Sequence, residues 1–133
     1  MVMGDGEIEE GAVWEAAMAG AKFRTAHCIA ILDHNGVQLD GANNEIMPLA
    51  DIGAKWAAFG WNVIHCDGHD AAAIEAAVTA AKSVTDRPSI LICRTVKGKG
   101  VSFMENQCGW HGVAPNDEQY KQAMAELKAQ LVH

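Results

Sequence analysis

The chain has 133 residues and a net charge of −7, a length that suits one domain of ordinary size. Half of its residues are hydrophobic, enough for a packed core and too many for a disordered segment. The acidic balance excludes a general binder of nucleic acid or of anionic membranes, because phosphate backbones call for clustered Lys and Arg; only Lys97 and Lys99 form a small basic cluster, inside a glycine-rich loop.

In chain order, Met1-Val2-Met3 suits the end of a strand. Ala12–Phe23 reads as a helix with Val13, Ala16, Ala17 and Gly20 on one face. Cys28-Ile29-Ala30-Ile31-Leu32 is a short continuous apolar run, as expected of a strand covered on both sides. A second helix is expected to begin at Pro48, where proline is tolerated best, with Leu49, Ile52, Trp56 and Phe59 at helical spacing and Gly60 ending it. Asn62–Cys66 is another strand. Asp70 suits the N-cap of a helix that turns Ile74, Ala77, Val78 and Ala81 inward. Ser89–Cys93 is the clearest strand, and Asp117–Val132 a terminal helix capped by Asn116.

The order β-α-β-α-β-α-β-loop-α predicts an α/β fold, a parallel sheet with helices on both faces. Ligands of such sheets bind at the carboxyl ends of the strands. Those ends carry Gly4-Asp5-Gly6, Asp33-His34-Asn35-Gly36, Asp67-Gly68-His69 and the loop after Val96. The polar and glycine-rich residues thus gather on one edge.

The four cysteines, at 28, 66, 93 and 108, lack the paired spacing of a zinc site. Cys28, Cys66 and Cys93, in or beside the apolar runs, are expected to be small buried hydrophobes in a reducing compartment. No apolar run approaches about 18 residues and no targeting motif is evident, so a cytoplasmic location and no membrane partner are expected. His27, His34 and His133 are expected at surface or packing positions, and His65 and His69 in structural roles at most. Trp14, Trp56, Trp61 and Trp110 are expected to anchor cores or interfaces.

Asp5 and Asn35 each end a predicted strand beside a glycine. If those strands are adjacent, a carboxylate and a carboxamide oxygen converge at the sheet edge. Magnesium favours hard oxygen ligands, with one or two carboxylates and the rest from phosphate or water. Gly4 and Gly6 let the backbone approach a phosphate closely, and the following helix start favours negative charge. Either residue alone reads as a cap or a turn. The two together, across a β-α-β unit, point to a metal–diphosphate site.

The span from Gly4-Asp5-Gly6 to Asn35 resembles the signature of thiamine-diphosphate enzymes, and the wording is most similar to transketolase. The stretches GDGEIEEGAVWEAAM (4–18), LDHNGVQLDG (32–41), KWAAFGWNVIHCDGHD (55–70) and KGKGVSFMENQCGWHG (97–112) carry that resemblance over most of the chain. The last is most like the amino-terminal subunit of split transketolases. The resemblance implies that Asp5 and Asn35 hold magnesium through their side chains and Val37 through its carbonyl. It places Gly6 against the diphosphate of thiamine diphosphate, Leu39 on the cofactor rings and Lys97 near the diphosphate, where a point charge suits the task. His111 would reach both diphosphate and substrate as the catalytic residue. Glu10 would join an acidic network between the two sites of a dimer.

The implied activity is transfer of a two-carbon ketol unit between sugar phosphates. The resemblance also implies that this chain is the second half of a thiamine-diphosphate-binding domain, residues 1–133, truncated at its amino-terminal side. The glutamate that activates the cofactor and the segment that precedes GDG in the family have no counterpart here. The chain alone is therefore expected to be inactive. Its expected partners are a transketolase carboxyl-terminal subunit or the missing domains, in a dimer or larger assembly. A non-catalytic binding or assembly module that keeps the fold is the competing reading. A Rossmann-type nucleotide binder is weaker, because no GxGxxG follows a first strand.

Overall fold

The computed structural model describes residues 1–131. Its centre is a four-stranded parallel sheet in the order β1-β2-β6-β5. The strands are β1 (Val2–Gly4), β2 (Ile29–His34), β5 (Asn62–Asp67) and β6 (Ser89–Arg94). A small antiparallel hairpin, β3 (Val37–Gln38) and β4 (Gly41–Ala42), follows β2. The helices are α1 (Gly11–Lys22), the short α2 (Asn43–Ile46), α3 (Ile52–Ala58), α4 (Ala71–Ser83) and α5 (Asp117–Gln130). Val132 and His133 lie outside the described residues. No helix among those described is long and apolar enough to cross a membrane.

Alternate strand residues point to opposite faces, and both faces are covered, as the apolar runs require. Met3, Ala30, Leu32, Ile90 and Ile92 pack with Ala17 of α1 and Ile52 and Trp56 of α3. Leu91 and Cys93 pack with Ala77 and Ala81 of α4 on the other face, joined by Ile29, Ile31, Ile64 and Cys66. Central β6 is buried from Ser89 to Cys93, whereas β5, at the sheet edge, is only partly covered. On the opposite edge, β1 pairs with β2 alone among the described residues, and Val2 is 68% exposed.

The cysteines are all free. Cys66 and Cys93 lie opposite each other in register, with their sulfurs 3.4 Å apart. Burial, followed by the neighbouring Cys66, pushes the Cys93 thiol up to about 12. It stays protonated at neutral pH and serves as a core hydrophobe.

The second long helix starts later than Pro48. Ala50 adopts a left-handed backbone with φ +52°, which interrupts any right-handed path from Pro48. Asp51 is the N-cap, its carboxylate accepting the Ala54 N–H at 2.8 Å. Helices α4 and α5 begin as the sequence indicates. Asp70 accepts the N–H groups of Ala72 and Ala73, and Asn116 forms a reciprocal capping box with Gln119.

Three tryptophans knit α1 and α3 together. Trp56 stands 5.4 Å from Trp14 and 4.8 Å from Trp61, between ring centroids, and Trp61 donates its indole N–H to the Ala17 carbonyl at 2.8 Å. The indole N–H of Trp56 is buried without an acceptor among the described residues. Trp61→Phe therefore removes a satisfied bond and Trp56→Phe an unsatisfied donor. Urea denaturation is expected to show Trp61→Phe as the more destabilising of the two, by about 1 kcal/mol; equal costs would remove the distinction.

Candidate functional site

The register of β1 and β2 builds the site. Val2 faces Ile31, Met3 faces Leu32 and Gly4 faces Asp33. The next residue on each strand is then Asp5 and His34, at the carboxyl edge. Asp5 is only 1% exposed, so its carboxylate must find its donors within the protein. Oδ1 lies 2.7 Å from Nδ1 of His34. Oδ2 accepts the backbone N–H of Gly36 at 2.7 Å and the Nδ2 group of Asn43 at 2.9 Å. Asn43 also donates its own backbone N–H to the Gly36 carbonyl at 3.0 Å. Asp5, Gly36 and Asn43 thus close a ring that ties β1 to both ends of the β3–β4 hairpin. Gly36 has φ +81°, a backbone that a side chain would strain.

Asn35 and Val37 ride on the same turn. The Asn35 Oδ1 accepts the Val37 N–H at 3.0 Å. A cation there would use the second lone pair of that oxygen or turn the carboxamide outward. Gly6 begins the short 3-10 helix Glu7–Glu9 and lies under the hairpin; a Cβ on it would meet that of Gln38 at 3.2 Å. The amide of Gln38 donates to both carboxylate oxygens of Glu9, at 3.1 and 3.2 Å. Gly4 donates weakly to Glu7 at 3.4 Å and has open space where a side chain would stand.

Other residues singled out in the sequence stand apart from this cluster. Glu10 is exposed at the N-cap of α1 and makes no side-chain cap. Leu39 at the hairpin tip is 62% exposed. Lys97 is half-buried in the loop after β6, where its carbonyl accepts the Asn106 N–H. His111 is exposed just beyond the 3-10 turn Cys108–Trp110. Its neighbour Trp110 donates to the Phe103 carbonyl at 3.0 Å and packs on that ring. Among the described residues no hydrogen bond joins the side chains of Lys97 or His111 to Asp5. Their loop is fastened to α5 instead. Glu126 accepts from both the backbone and the hydroxyl of Ser102, and those bonds, backbone first, hold its carboxyl below the usual range.

Two site residues escape the sequence reading. His34 is a partner of the buried carboxylate, not merely a surface or packing residue. The signal was its place after β2, opposite the residue after β1, which needs the register to be read. Asn43 has no signal of its own, since it reaches Asp5 only once the hairpin folds back. His69 does keep a structural role, its Nε2 accepting the Val96 N–H at 2.7 Å. His34, His65, His69, Arg94 and Lys99 line an open cleft of about 700 Å³ beside the site.

A carboxylate with two donors on one oxygen, a turn carrying an amide and a backbone carbonyl, and glycines at the approach bring together oxygens suited to a hard cation and a phosphate. No group of three or more His, Cys, Asp or Glu side chains is placed for a metal among the described residues. A cation here would need amide, carbonyl or phosphate oxygens beside the one Asp5 carboxylate.

Replacing Asp5 separates folding from binding. In Asp5→Asn the amide oxygen still accepts from Gly36 and Asn43, and the amide N–H can donate to a neutral His34. Asp5→Ala leaves those donors unpaired. Thermal or urea unfolding is expected to show Asp5→Ala losing about 1–3 kcal/mol and Asp5→Asn much less; comparable losses would contradict the hydrogen-bond assignment.

Comparison with known proteins bears on the family and the fold. The family model described as transketolase, thiamine diphosphate binding domain, matches residues 1–130. A 6-deoxy-6-sulfo-D-fructose transketolase subunit of Clostridium sp. (strain MSTE9) is 44% identical over 96% of this chain and 46% of its own length. An apulose-4-phosphate transketolase subunit of Phocaeicola vulgatus is 38% identical over 98% of this chain and 47% of its own length. The chain thus spans just under half the length of these curated relatives. The crystal structure of transketolase from Campylobacter jejuni superposes with a TM-score of 0.88 and 27% identity, over 96% of this chain and 20% of that one.

Proposed function

Because this chain belongs to the transketolase family through its thiamine diphosphate-binding domain, we propose that it forms the metal and diphosphate half-site of an enzyme that transfers a two-carbon ketol unit between sugar phosphates. The observation that carries the proposal is the buried Asp5 carboxylate, bonded to the same turn that presents Asn35 and Val37. Asp5 and Asn35 would hold Mg²⁺ through side-chain oxygens and Val37 through its carbonyl, leaving places for diphosphate oxygens and water. One buried oxygen beside Asp5, Oδ1 of Asn43, finds no donor among the described residues.

Thiamine diphosphate supplies the stabilised carbon nucleophile that the protein lacks. The chain's own residues bind and orient. Gly4 and Gly6 admit the diphosphate, and Lys97 adds a positive charge toward it. Leu39, exposed at the hairpin tip, offers an apolar surface to the cofactor rings. His111, in a loop held by α5, would reach the diphosphate and the sugar substrate. Glu10 would face a second copy of the site in a dimer. The residues on the aminopyrimidine side would come from other segments or from a carboxyl-terminal subunit. The relatives from Clostridium and Phocaeicola are each one subunit of a transketolase, which supports such a partner. The open edge of β1, where Val2 is exposed, and the exposed Met18 and Phe23 of α1 and its C-cap would be covered in that assembly, and four free cysteines suit a cytoplasmic setting.

Calorimetric titration of thiamine diphosphate with Mg²⁺ tests this, on the chain alone and with a candidate carboxyl-terminal subunit. Metal-dependent binding is expected in the complex, and Asp5→Asn should weaken Mg²⁺ by about tenfold or more while keeping the fold. No binding in either setting would overturn the proposal in favour of a non-catalytic assembly module.

A further inference from the structure

We infer that Glu126 of α5 is a positioning residue for His111, acting through Ser102, Phe103 and Trp110. The inference rests on the half-site reading above, in which His111 reaches the diphosphate and the sugar. The loop from Lys97 to Gly112 has little apolar anchorage of its own. Of its apolar side chains only Val101 is fully buried among the described residues, and Ser102 and His111 are exposed. Helix α5 buries only Ala123 among the described residues, so little apolar packing backs the contact between helix and loop. Polar bonds fix where the loop stands.

Glu126 makes the strongest of these. Its Oε2 accepts the Ser102 N–H at 2.6 Å and its Oε1 the Ser102 hydroxyl at 2.8 Å. Bonds to an ionised carboxylate are roughly twice as strong as neutral ones. Gln122, a turn earlier on α5, donates to Oε1 at 2.8 Å and holds the carboxylate in that direction. Because the carboxylate grips the backbone as well as the side chain of Ser102, it fixes the path of the chain and not one rotamer. The next residue carries the effect onward. The Phe103 carbonyl accepts the Trp110 indole N–H at 3.0 Å, and the two rings pack with centroids 5.4 Å apart. Trp110 directly precedes His111. A separate tether, from Nε2 of Gln130 to the Gly100 carbonyl at 2.9 Å, holds the part of the loop nearer Lys97. Glu126 thus governs the end that carries His111.

The test is a double-mutant cycle on thiamine diphosphate affinity, measured by calorimetry at saturating Mg²⁺, with the partner subunit present where the chain alone does not bind. His111→Ala is expected to raise the dissociation constant by about tenfold or more, and Glu126→Ala by a similar factor. In the double variant the constant should rise little beyond that of His111→Ala alone, because both substitutions remove the same interaction. Glu126→Gln, whose amide oxygen can still accept the Ser102 N–H, should recover most of the loss. Glu118→Ala, at an exposed acid on the same helix, should leave the constant unchanged. Ser102→Ala removes the hydroxyl bond alone and carries the cycle if Glu126→Ala does not fold. Hydrogen exchange of the cofactor-free protein gives a second readout: the amides of Ser102 and His111 should exchange faster in Glu126→Ala, with those of α4 unchanged. Additive losses in the cycle, an unaffected constant in Glu126→Ala, or lost protection in α4 as well would overturn the inference alone. No effect of His111→Ala, or no cofactor binding by the wild-type protein, would overturn the half-site reading beneath it.

Discussion

A carboxylate taken out of water at the end of a strand must be given donors, and most of this site follows from how Asp5 receives them. The donors come from three places: the ring of His34, the backbone of Gly36 and the side chain of Asn43. Satisfying one buried charge therefore couples the first strand, the second strand and the hairpin after it. A hydrogen bond to a charged group is worth more than a neutral one, so this coupling is among the stronger local constraints in the molecule. It also keeps the turn with Asn35 and Val37 over the carboxylate.

The sheet supplies the rigidity that makes the constraint useful. Ile90, Leu91, Ile92 and Cys93 bury β6 on both faces, and the tryptophans of α1, α3 and the following turn wall off one side. The loop from Lys97 to Gly112 is different in kind. It leans on its own aromatic pair and on α5, through Ser102 and Glu126. Anchored this way, it stands independent of the Asp5 ring.

Much of the architecture was legible in the sequence because its signals are local. Three continuous apolar runs marked β2, β5 and β6, and Asp70 and Asn116 announced their helices by capping chemistry. Adjacency of the strands that carry Asp5 and Asn35 was only a condition of the sequence reading, and β1 does pair with β2. What was not legible depends on chain reversals. Pro48 carries a helix-start signal, but Ala50 turns left-handed and the start passes to Asp51. The hairpin at Val37–Ala42 has too few residues for a periodic pattern, so neither it nor the contact of Asn43 with Asp5 could be read. Lys97 and His111 were marked by resemblance, and the fold alone gives them no bond to the cluster.

The parallel register of β1 and β2 has one more consequence. Asp5 and Asn35 are brought together by strand alignment, Gly4 beside Asp33, and not by the length of chain between them. The stretch from Gly11 to Cys28 enters the site only through the two strands it connects. A whole turn added to or removed from α1 would leave the alignment of these two residues intact, whereas a slip of a single residue between the strands would turn Asp5 to the opposite side of the sheet. Tolerance to insertion and intolerance to slippage are thus two faces of the same design.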